Sequence, residues 1–256
     1  MQVGILAGGF GTRLSEETVN IPKPMVRIGE KPILWHIMKI YSKYGFDDFI
    51  IMLGYKGHLI KDYFANYFLY QSDVTIDLRK NKMEILNSNT EPWKITLVDT
   101  GLNSNTGHRV KQIEKYIEQD QFMLTYGDGV SDVNLNSLID FHNSHDKIAT
   151  LTAVQPSGRF GSLTISDDFS INGFNEKPKG DKRWVNGGFF VLDKDVFNYI
   201  DDDVDNNWEE NVLSGLVDVN QLVAYKHYGF WQCMDTLREK TYLQQLVEKD
   251  NTPWLK

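Results

Sequence analysis

The chain has 256 residues, with 27 Lys and Arg against 35 Asp and Glu, so its formal net charge at neutral pH is −8. Hydrophobic residues make up 41% of the sequence and charged residues 24%. This balance is typical of a globular protein, and it excludes a disordered chain, a collagen-like repeat and a disulfide scaffold. An acidic chain is also a poor partner for nucleic acid, since a backbone binder needs a basic face.

Membrane insertion and secretion are not expected. No stretch approaches the roughly 20 apolar residues needed to span a bilayer, and the first seven residues carry no basic leader. The chain has a single cysteine, Cys233, which cannot form an intrachain disulfide. We therefore expect a cytoplasmic protein in a reducing compartment, without a membrane partner.

Strands and helices alternate in the first part of the chain. Val3–Leu6 reads as a short buried strand, residues 32–41 as an amphipathic helix, residues 49–53 as a second buried strand and residues 58–69 as another helix. Five consecutive apolar residues at 49–53 suit a strand that is covered on both faces. We predict an α/β fold with a mainly parallel, Rossmann-like sheet and helices on both faces.

The remaining elements continue this pattern after an inserted β-hairpin at residues 74–86. Strands are predicted at 95–98, 122–125, 149–154, 162–165, 171–174 and 189–192, and helices at 109–117, 135–145, 208–217 and 236–248. No Pro/Ser-rich linker or repeat divides the chain. A single domain over residues 1–256 is therefore favoured.

The segment LAGGFGTRL at residues 6–14 directly follows the first strand. Its glycines allow the backbone to approach a ligand closely, and consecutive amides can form a concave anion site. Arg13 adds a cationic fork suited to phosphate. The segment lacks the Lys-Ser/Thr pair of a P-loop, and Leu14 stands where a dinucleotide fingerprint needs a small residue. An ordinary glycine-rich turn remains the alternative.

Three further residues are candidates for phosphate or metal chemistry. Lys23 lies between Pro22 and Pro24, which we expect to hold the backbone extended and stiff. Asp128 follows a predicted strand, at the sheet edge where α/β proteins bind ligands, and Asp235 is a second isolated carboxylate. A Pro-bounded surface loop and a simple turn are the alternative interpretations for Lys23 and Asp128.

The other polar residues give weaker evidence for a metal site or a nucleophile. His142 and His145 lie three residues apart on a predicted helix, but no third ligand is evident, so we interpret them as a surface pair. Cys233 has no apparent basic partner and is interpreted as a packing residue, not as a nucleophile.

Together these motifs resemble those of the sugar-1-phosphate nucleotidyltransferases. LAGGxGTRL at 6–14 followed by PKPM at 22–25 matches the family signature, and further matches are YGDG at 126–129, FNEKP at 174–178, VNGGFF at 185–190 and FWQCMDT at 230–236. The resemblance implies a nucleotidyltransferase-type fold. Residues 1–130 would mainly bind the nucleotide and residues 131–256 mainly the sugar phosphate.

The resemblance also implies a set of site residues. Mg²⁺ would be held by Asp128 and Asp235. The catalytic residues would be Arg13, Lys23 and Lys177. The nucleotide would contact Leu6, Ala7, Gly8, Gly9, Gly11, Thr12, Arg13, Thr106, Gly107, Arg109, Gly127 and Asp128. The sugar phosphate would contact Lys23, Glu176, Lys177, Lys179, Asn186 and Gly187, and the absent side chains at 187–188 would admit the sugar ring.

Longer but softer similarities favour one branch of the family. They lie at 98–101 (VDTG), 106–109 (TGHR), 158–161 (GRFG) and 178–181 (PKGD). The implied reaction transfers a cytidylyl group from CTP to glucose 1-phosphate, for deoxysugars of surface polysaccharides such as O-antigen, and the implied assembly is a homo-oligomer. Alternatives are thymidylyl or uridylyl transfer, a non-catalytic nucleotide-sugar-binding subunit, and a nicotinamide-dependent reductase.

Overall fold

The computed structural model describes residues 1–88, 90–156, 162–165, 170–175 and 184–256. Its strands are β1 (Val3–Leu6), β2 (Arg27–Ile28), β3 (Lys31–Pro32), β4 (Asp48–Leu53), β5 (Ser72–Asp77), β6 (Lys82–Ser88), β7 (Lys94–Asp99), β8 (Gln121–Tyr126), β9 (Gly129–Ser131), β10 (Ala149–Val154), β11 (Ser162–Ile165), β12 (Ile171–Asn175), β13 (Val185–Asp193), β14 (Leu222–His227) and β15 (Trp231–Cys233).

The α-helices are α1 (Ser15–Thr18), α2 (Ile33–Ser42), α3 (Gly57–Ala65), α4 (Tyr67–Tyr70), α5 (Thr106–Gln112), α6 (Leu135–His142), α7 (Ser214–Asp218) and α8 (Leu237–Glu248). Short 3-10 helices cover Thr12–Leu14, Lys23–Met25, Glu114–Tyr116, Lys194–Tyr199 and Pro253–Leu255, and a π-helix covers Trp208–Leu213. Within the described part of the chain, no helix combines the length and apolar character needed to cross a membrane.

A seven-stranded sheet with the order β14-β10-β13-β8-β1-β4-β7 forms the centre of the molecule. β1 pairs in parallel with β4 and β8, and the pairs β4–β7 and β10–β14 are also parallel. Only β13 runs antiparallel to its neighbours in this sheet, β8 and β10. The predicted α/β fold with a mainly parallel sheet is confirmed.

Strand β4 shows how the sheet is covered on both faces. Phe49, Ile51 and Leu53 belong to one apolar core with residues of α2, whereas Ile50 and Met52 belong to a second core with residues of α5. All five side chains are buried. Residues 49–53 are continuously apolar because successive strand residues face opposite layers of helices.

The predicted hairpin is present as β5 and β6, which pair antiparallel as a separate two-stranded ribbon. The helix predicted over 58–69 is instead divided at Asn66 into α3 and α4. The Asn66 side chain donates from Nδ2 to the Asp62 carbonyl at 2.8 Å. This local bond competes with the helical ladder and accounts for the break.

The interpretation of His142 as a surface residue is wrong. Helix α6 ends at His142, whose side chain is buried. Nδ1 lies 2.9 Å from Thr150 Oγ1 and Nε2 lies 3.2 Å from Asp193 Oδ1. His142 follows Leu135 and Leu138 at the spacing of one helical face, so it is carried into the core with them.

Candidate active site

A cavity of about 360 Å³ opens at the carboxyl edge of β1 and β8. In an open α/β sheet this is the edge where ligands bind. The cavity brings together most of the residues predicted to contact a nucleotide: Leu6, Ala7, Gly8, Gly9, Gly11, Thr12, Arg13, Thr106, Arg109, Gly127 and Asp128. Lys23 and the segment 103–105 also line it.

The loop after β1 is anchored to the β4 side of the sheet. The Ala7 amide donates to the Met52 carbonyl, and the Tyr55 amide donates to the Gly8 carbonyl, both at 3.0 Å. Gly11 then turns the chain with a φ of 66°, a left-handed conformation that favours glycine. These bonds fix the backbone of the loop along one wall of the cavity.

Arg109 forms part of this wall, but its guanidinium is bonded to the protein. Nη1 donates to the carbonyls of Leu53 (3.1 Å) and Gly101 (2.7 Å), and Nη2 donates to the Leu102 carbonyl (3.2 Å). Burial lowers the pKa of Arg109, and the nearby Asp99 carboxylate acts in the opposite direction. The geometry therefore favours a role in shaping the loop at 99–102, and a direct nucleotide contact stays a prediction.

The predicted nucleotide contact at Gly107 is not supported. A Cβ atom at Gly107 would lie 2.2 Å from Asn206 Oδ1, and the neighbouring His108 amide donates to the Asn206 carbonyl at 3.2 Å. Gly107 is thus required where α5 packs against residue 206, and it is absent from the residues that line the cavity.

The segment that carries Lys23 is not extended as predicted. Lys23–Met25 forms a 3-10 turn in which the Met25 amide donates to the Pro22 carbonyl at 2.8 Å. Pro24 lies at the start of this turn, where its missing N–H costs no hydrogen bond. The turn places the Lys23 side chain, which is 11% exposed, at the cavity.

A short ribbon formed by β9 and β15 brings the two predicted metal ligands together. Gly129 pairs with Cys233 in an antiparallel register, and the Met234 amide donates to the Asp128 carbonyl at 2.8 Å. Asp128 immediately precedes β9 and Asp235 follows β15 by two residues. The pairing therefore brings two carboxylates that are distant in sequence to one point.

Lys23 lies between these carboxylates. Its Nζ is 2.6 Å from Asp128 Oδ2 and 2.5 Å from Asp235 Oδ1, and Arg13 Nη1 is 2.9 Å from Asp235 Oδ2. Burial alone would lower the pKa of Lys23, but the two carboxylates outweigh it and raise the pKa. The ammonium ion is thus charged and held by both acids.

The donor set fits a magnesium ion. Oxygens of Asp128 and Asp235 converge on one cation, the Lys23 ammonium, and hard divalent cations prefer such oxygen ligands. A second possible group within the described residues is Cys233, Asp235 and Glu239. Burial raises the pKa of the Cys233 thiol to about 12, and Glu239 Oε2 already accepts from the Asp235 and Thr236 amides. The carboxylate pair is therefore the better candidate.

The predicted sugar-phosphate residues are only partly described. Glu176, Lys177 and Lys179 lie outside the described residues, as do the motifs at 158–161 and 178–181. Asn186 donates from Nδ2 to the Tyr126 hydroxyl at 2.9 Å, and its Oδ1 accepts from the Gly188 amide at 2.9 Å. Its side chain is thus oriented by the protein.

The expectation that absent side chains at 187–188 make room for a sugar ring is wrong. A Cβ at Gly187 would lie 2.8 Å from both the Thr152 carbonyl oxygen and Val154, and one at Gly188 would lie 2.4 Å from the Tyr126 ring. The protein itself fills the space. These glycines let β13 pack closely against its neighbours, and a sugar contact through the Gly187 backbone stays a prediction.

Sequence reasoning missed two residues beside the cavity. Tyr126 lines it, and the Tyr126 hydroxyl donates to Glu209 Oε1 at 2.5 Å. Glu209 also accepts from the Thr106 hydroxyl at 3.0 Å. Tyr126 lies in a motif that the sequence analysis quoted, but Glu209 belongs to none, and only the fold brings it near.

Comparison with known proteins agrees with this geometry. Residues 3–236 match the profile of the family described as Nucleotidyl transferase. The chain belongs to this nucleotidyl transferase family. Within the family, it is 55% identical over 255 residues to the glucose-1-phosphate cytidylyltransferase of Salmonella typhi, covering 99% of this chain and 98% of the relative.

Two other comparisons extend the likeness. A Bacillus subtilis (strain 168) protein named probable glucose-1-phosphate cytidylyltransferase is 41% identical over 254 residues, or 99% of each chain. The crystal structure of HddC from Yersinia pseudotuberculosis matches with a TM-score of 0.69 at 25% identity, covering 96% of this chain and 99% of that one. The family fold therefore extends over nearly the whole chain.

Proposed function

We propose that the protein transfers a cytidylyl group from CTP to α-D-glucose 1-phosphate, giving CDP-glucose and pyrophosphate. The observation that carries the proposal is the cluster of Lys23, Asp128 and Asp235 at the cavity beside the glycine-rich loop. The full-length likeness to glucose-1-phosphate cytidylyltransferases supports the choice of substrates. CDP-glucose would then feed deoxysugar synthesis for surface polysaccharides such as O-antigen.

The reaction needs alignment and charge neutralisation more than a base. The phosphate oxygen of glucose 1-phosphate is already an anion, and it attacks the α-phosphorus of CTP while the pyrophosphate leaves. Arg13, whose side chain is 74% exposed, would hold the departing pyrophosphate. Lys23 would contact the reacting phosphate, where preorganised positive charge lowers the barrier. Lys177, Lys179 and Glu176 remain the predicted contacts for the sugar phosphate.

Asp128 and Asp235 would hold Mg²⁺. When bound, the ion supplies positive charge that offsets the charge on the triphosphate oxygens. The contacts of Lys23 imply an exchange of partners, since its ammonium ion is bonded to the same two carboxylates. Lys23 would release them and turn to the phosphates, so that the acids and the lysine both gain partners of opposite charge.

Selection of cytosine would depend on hydrogen-bond acceptors near the base. Cytosine carries an amino donor where uracil and thymine carry a carbonyl, so a site that offers acceptors there rejects the other bases by leaving its own groups unpaired. The segment 103–106 lines the cavity beside the glycine-rich loop. Its main-chain carbonyls are our candidates for these acceptors.

A pyrophosphate-release assay with CTP, glucose 1-phosphate and Mg²⁺ tests the proposal. Parallel reactions with UTP and dTTP separate cytidylyl transfer from the thymidylyl and uridylyl alternatives. Calorimetric binding of CTP without any pyrophosphate release would instead identify a non-catalytic nucleotide-binding subunit. The substrates and the free Cys233 thiol fit the reducing cytoplasm, where we propose that the protein acts.

We also propose that a second copy of this chain covers the ribbon of β5 and β6. Residues opposite one another on paired strands share a face, and the pairs Val74–Ile85 and Ile76–Met83 make one face of the ribbon apolar. Ile76 is 58% exposed and Met83 is 49% exposed. An isolated two-stranded ribbon is marginally stable unless its apolar face is covered.

The charged side chains of the ribbon lie on its other face. Asp77 is opposite Lys82 and Thr75 is opposite Glu84, and Lys80 and Lys82 pair with Asp77 and Glu84 within the ribbon. A twofold contact would therefore pack the apolar faces of two ribbons against each other and leave these self-paired charges in solvent. Light scattering should give a mass above the 29.6 kDa monomer for the wild type and for the polar-face control Thr75→Asp, but a monomer mass for Ile76→Asp. A monomeric wild type would refute this assembly.

A further inference from the structure

Glu209 joins two walls of the cavity through its two carboxylate oxygens. Oε2 accepts from the Thr106 hydroxyl at 3.0 Å, at the start of α5 on the nucleotide side. Oε1 accepts from the Tyr126 hydroxyl at 2.5 Å. The Tyr126 oxygen in turn accepts from Asn186 Nδ2 at 2.9 Å, on the predicted sugar side. Thr106 and Tyr126 both line the cavity.

Neighbouring bonds fix the position of Glu209. Asn207 Oδ1 accepts from the Glu209 amide at 2.9 Å and so caps the π-helix that begins at Trp208. The Trp208 amide donates to Thr106 Oγ1 at 2.9 Å, which places this threonine directly beside the cap. Short π-helical turns are frequent at functional sites.

The bonds have one direction only, because a carboxylate cannot donate. The hydroxyl protons of Thr106 and Tyr126 must point at Glu209. Burial and the negative charge of Glu209 both raise the pKa of Tyr126, so its hydroxyl keeps the proton that it donates. Asn186 Oδ1 accepts from the Gly188 amide, which leaves its Nδ2 group facing Tyr126. The chain Asn186 to Tyr126 to Glu209 therefore has a defined donor order.

We propose that Glu209 is a positioning residue that couples the nucleotide side of the active site to the sugar side. It holds Thr106 and Tyr126 in one orientation, and through Tyr126 it holds Asn186. This inference rests on the proposed transfer between CTP and glucose 1-phosphate. Without the carboxylate, both hydroxyls lose their common acceptor. Each substrate would then have to order the side chains on its side of the cavity when it binds.

Three variants test the coupling. Glu209→Ala should raise KM for CTP and for glucose 1-phosphate by about tenfold each, with kcat at saturation changed less than threefold, as expected for lost hydrogen bonds that position substrates. Glu209→Gln should recover only part of this loss, because its single amide oxygen can accept from one of the two hydroxyls and its NH2 group cannot accept from the other. Glu210→Ala is the matched control, since Glu210 is the next residue on the same π-helix and is exposed.

A fourth variant separates the two sides. Tyr126→Phe removes the hydroxyl that links Glu209 to Asn186 while leaving the Thr106 bond, so KM for glucose 1-phosphate should rise more than KM for CTP. Circular dichroism and thermal unfolding check the fold of each variant. If Glu209→Ala does not fold, Glu209→Gln and Tyr126→Phe carry the test alone.

The outcomes distinguish this inference from the proposed function. A folded wild type that releases no pyrophosphate from CTP and glucose 1-phosphate refutes the proposed function itself. An active wild type whose Glu209→Ala variant keeps both KM values, or loses kcat alone, overturns the coupling role. A KM increase for one substrate only would also overturn it.

Discussion

Replacing Lys23 with methionine tests whether its ammonium ion and Mg²⁺ compete for the same carboxylates. Removing one partner of a fully buried ion pair typically costs about 3 to 5 kcal/mol. Asp128 and Asp235 are 28% and 16% exposed, and Arg13 stays 2.9 Å from Asp235. We therefore expect a loss of about 2 kcal/mol in the metal-free protein, or about 4 to 8 °C in Tm.

Added Mg²⁺ should stabilise Lys23→Met more than it stabilises the wild type. In the wild type the ion has to displace Lys23 from Asp128 and Asp235, whereas in Lys23→Met only the exposed Arg13 side chain still pairs with Asp235. A displacement cost of about 2 kcal/mol corresponds to roughly thirtyfold tighter Mg²⁺ binding by the variant. Its kcat should nevertheless fall by about 10² to 10³, because the variant lacks the charge that we propose contacts the reacting phosphate.

Thermal unfolding across a Mg²⁺ titration without nucleotide measures both effects. Lys39→Met is the control, because it removes the ion pair with Glu91 (2.9 Å), which is remote from the cavity, and should leave the Mg²⁺ response unchanged. If Mg²⁺ raises the Tm of wild type and Lys23→Met by the same amount, the lysine and the ion do not share a site.

Three further predictions concern the same cavity. Asp128→Asn and Asp235→Asn should each nearly abolish turnover and reduce the Mg²⁺-dependent rise in Tm, since each removes a charged oxygen that we propose as a metal ligand. Normal Mg²⁺ dependence in either variant would exclude that residue as a ligand. Gly8→Ala should cost about 1 to 3 kcal/mol of stability, because its Cβ would lie 2.4 Å from the immobilised Arg109 guanidinium. The control Gly9→Ala should be neutral in thermal unfolding, because its Cβ would have nothing within 4 Å. Equal stability of the two variants would contradict the close packing at Gly8. CTP should give a higher kcat/KM than UTP or dTTP with glucose 1-phosphate held constant, and an equal or better value for either competitor would refute the cytidylyl assignment.

The elements that the sequence predicts well have a recognisable pattern within their own residues. Strands β1 and β4 are short continuous apolar runs, and α2 has its apolar residues at helical spacing. These three elements can therefore be predicted without knowing which elements pack against them. Edge strand β14 was missed because its residues are mostly half-buried or exposed and give no such run. The three-residue strands β9 and β15 are too short to detect, and only their pairing defines them.

The candidate site also contains residues that the sequence can locate and residues that only the fold reveals. The contiguous segments at 6–14 and 126–128 could be located because motif and geometry coincide. The packing at Gly107, Gly187 and Gly188 depends on which atoms lie opposite each glycine, and that information is in other parts of the chain. Glu209 is the extreme case, since an exposed glutamate in an ordinary polar stretch becomes a shared acceptor only after the fold forms.

The β9–β15 ribbon also sets when the site can form during synthesis. Lys23 and Asp128 are separated by 105 residues, whereas Lys23 and Asp235 are separated by 212. Domains generally fold as units, and one apolar core contains residues from both ends of the chain, among them Val3 and Trp254. The Lys23–Asp128–Asp235 cluster therefore forms only after β15 has been made and has paired with β9, so the proposed capacity for chemistry arrives with the last strand of the fold.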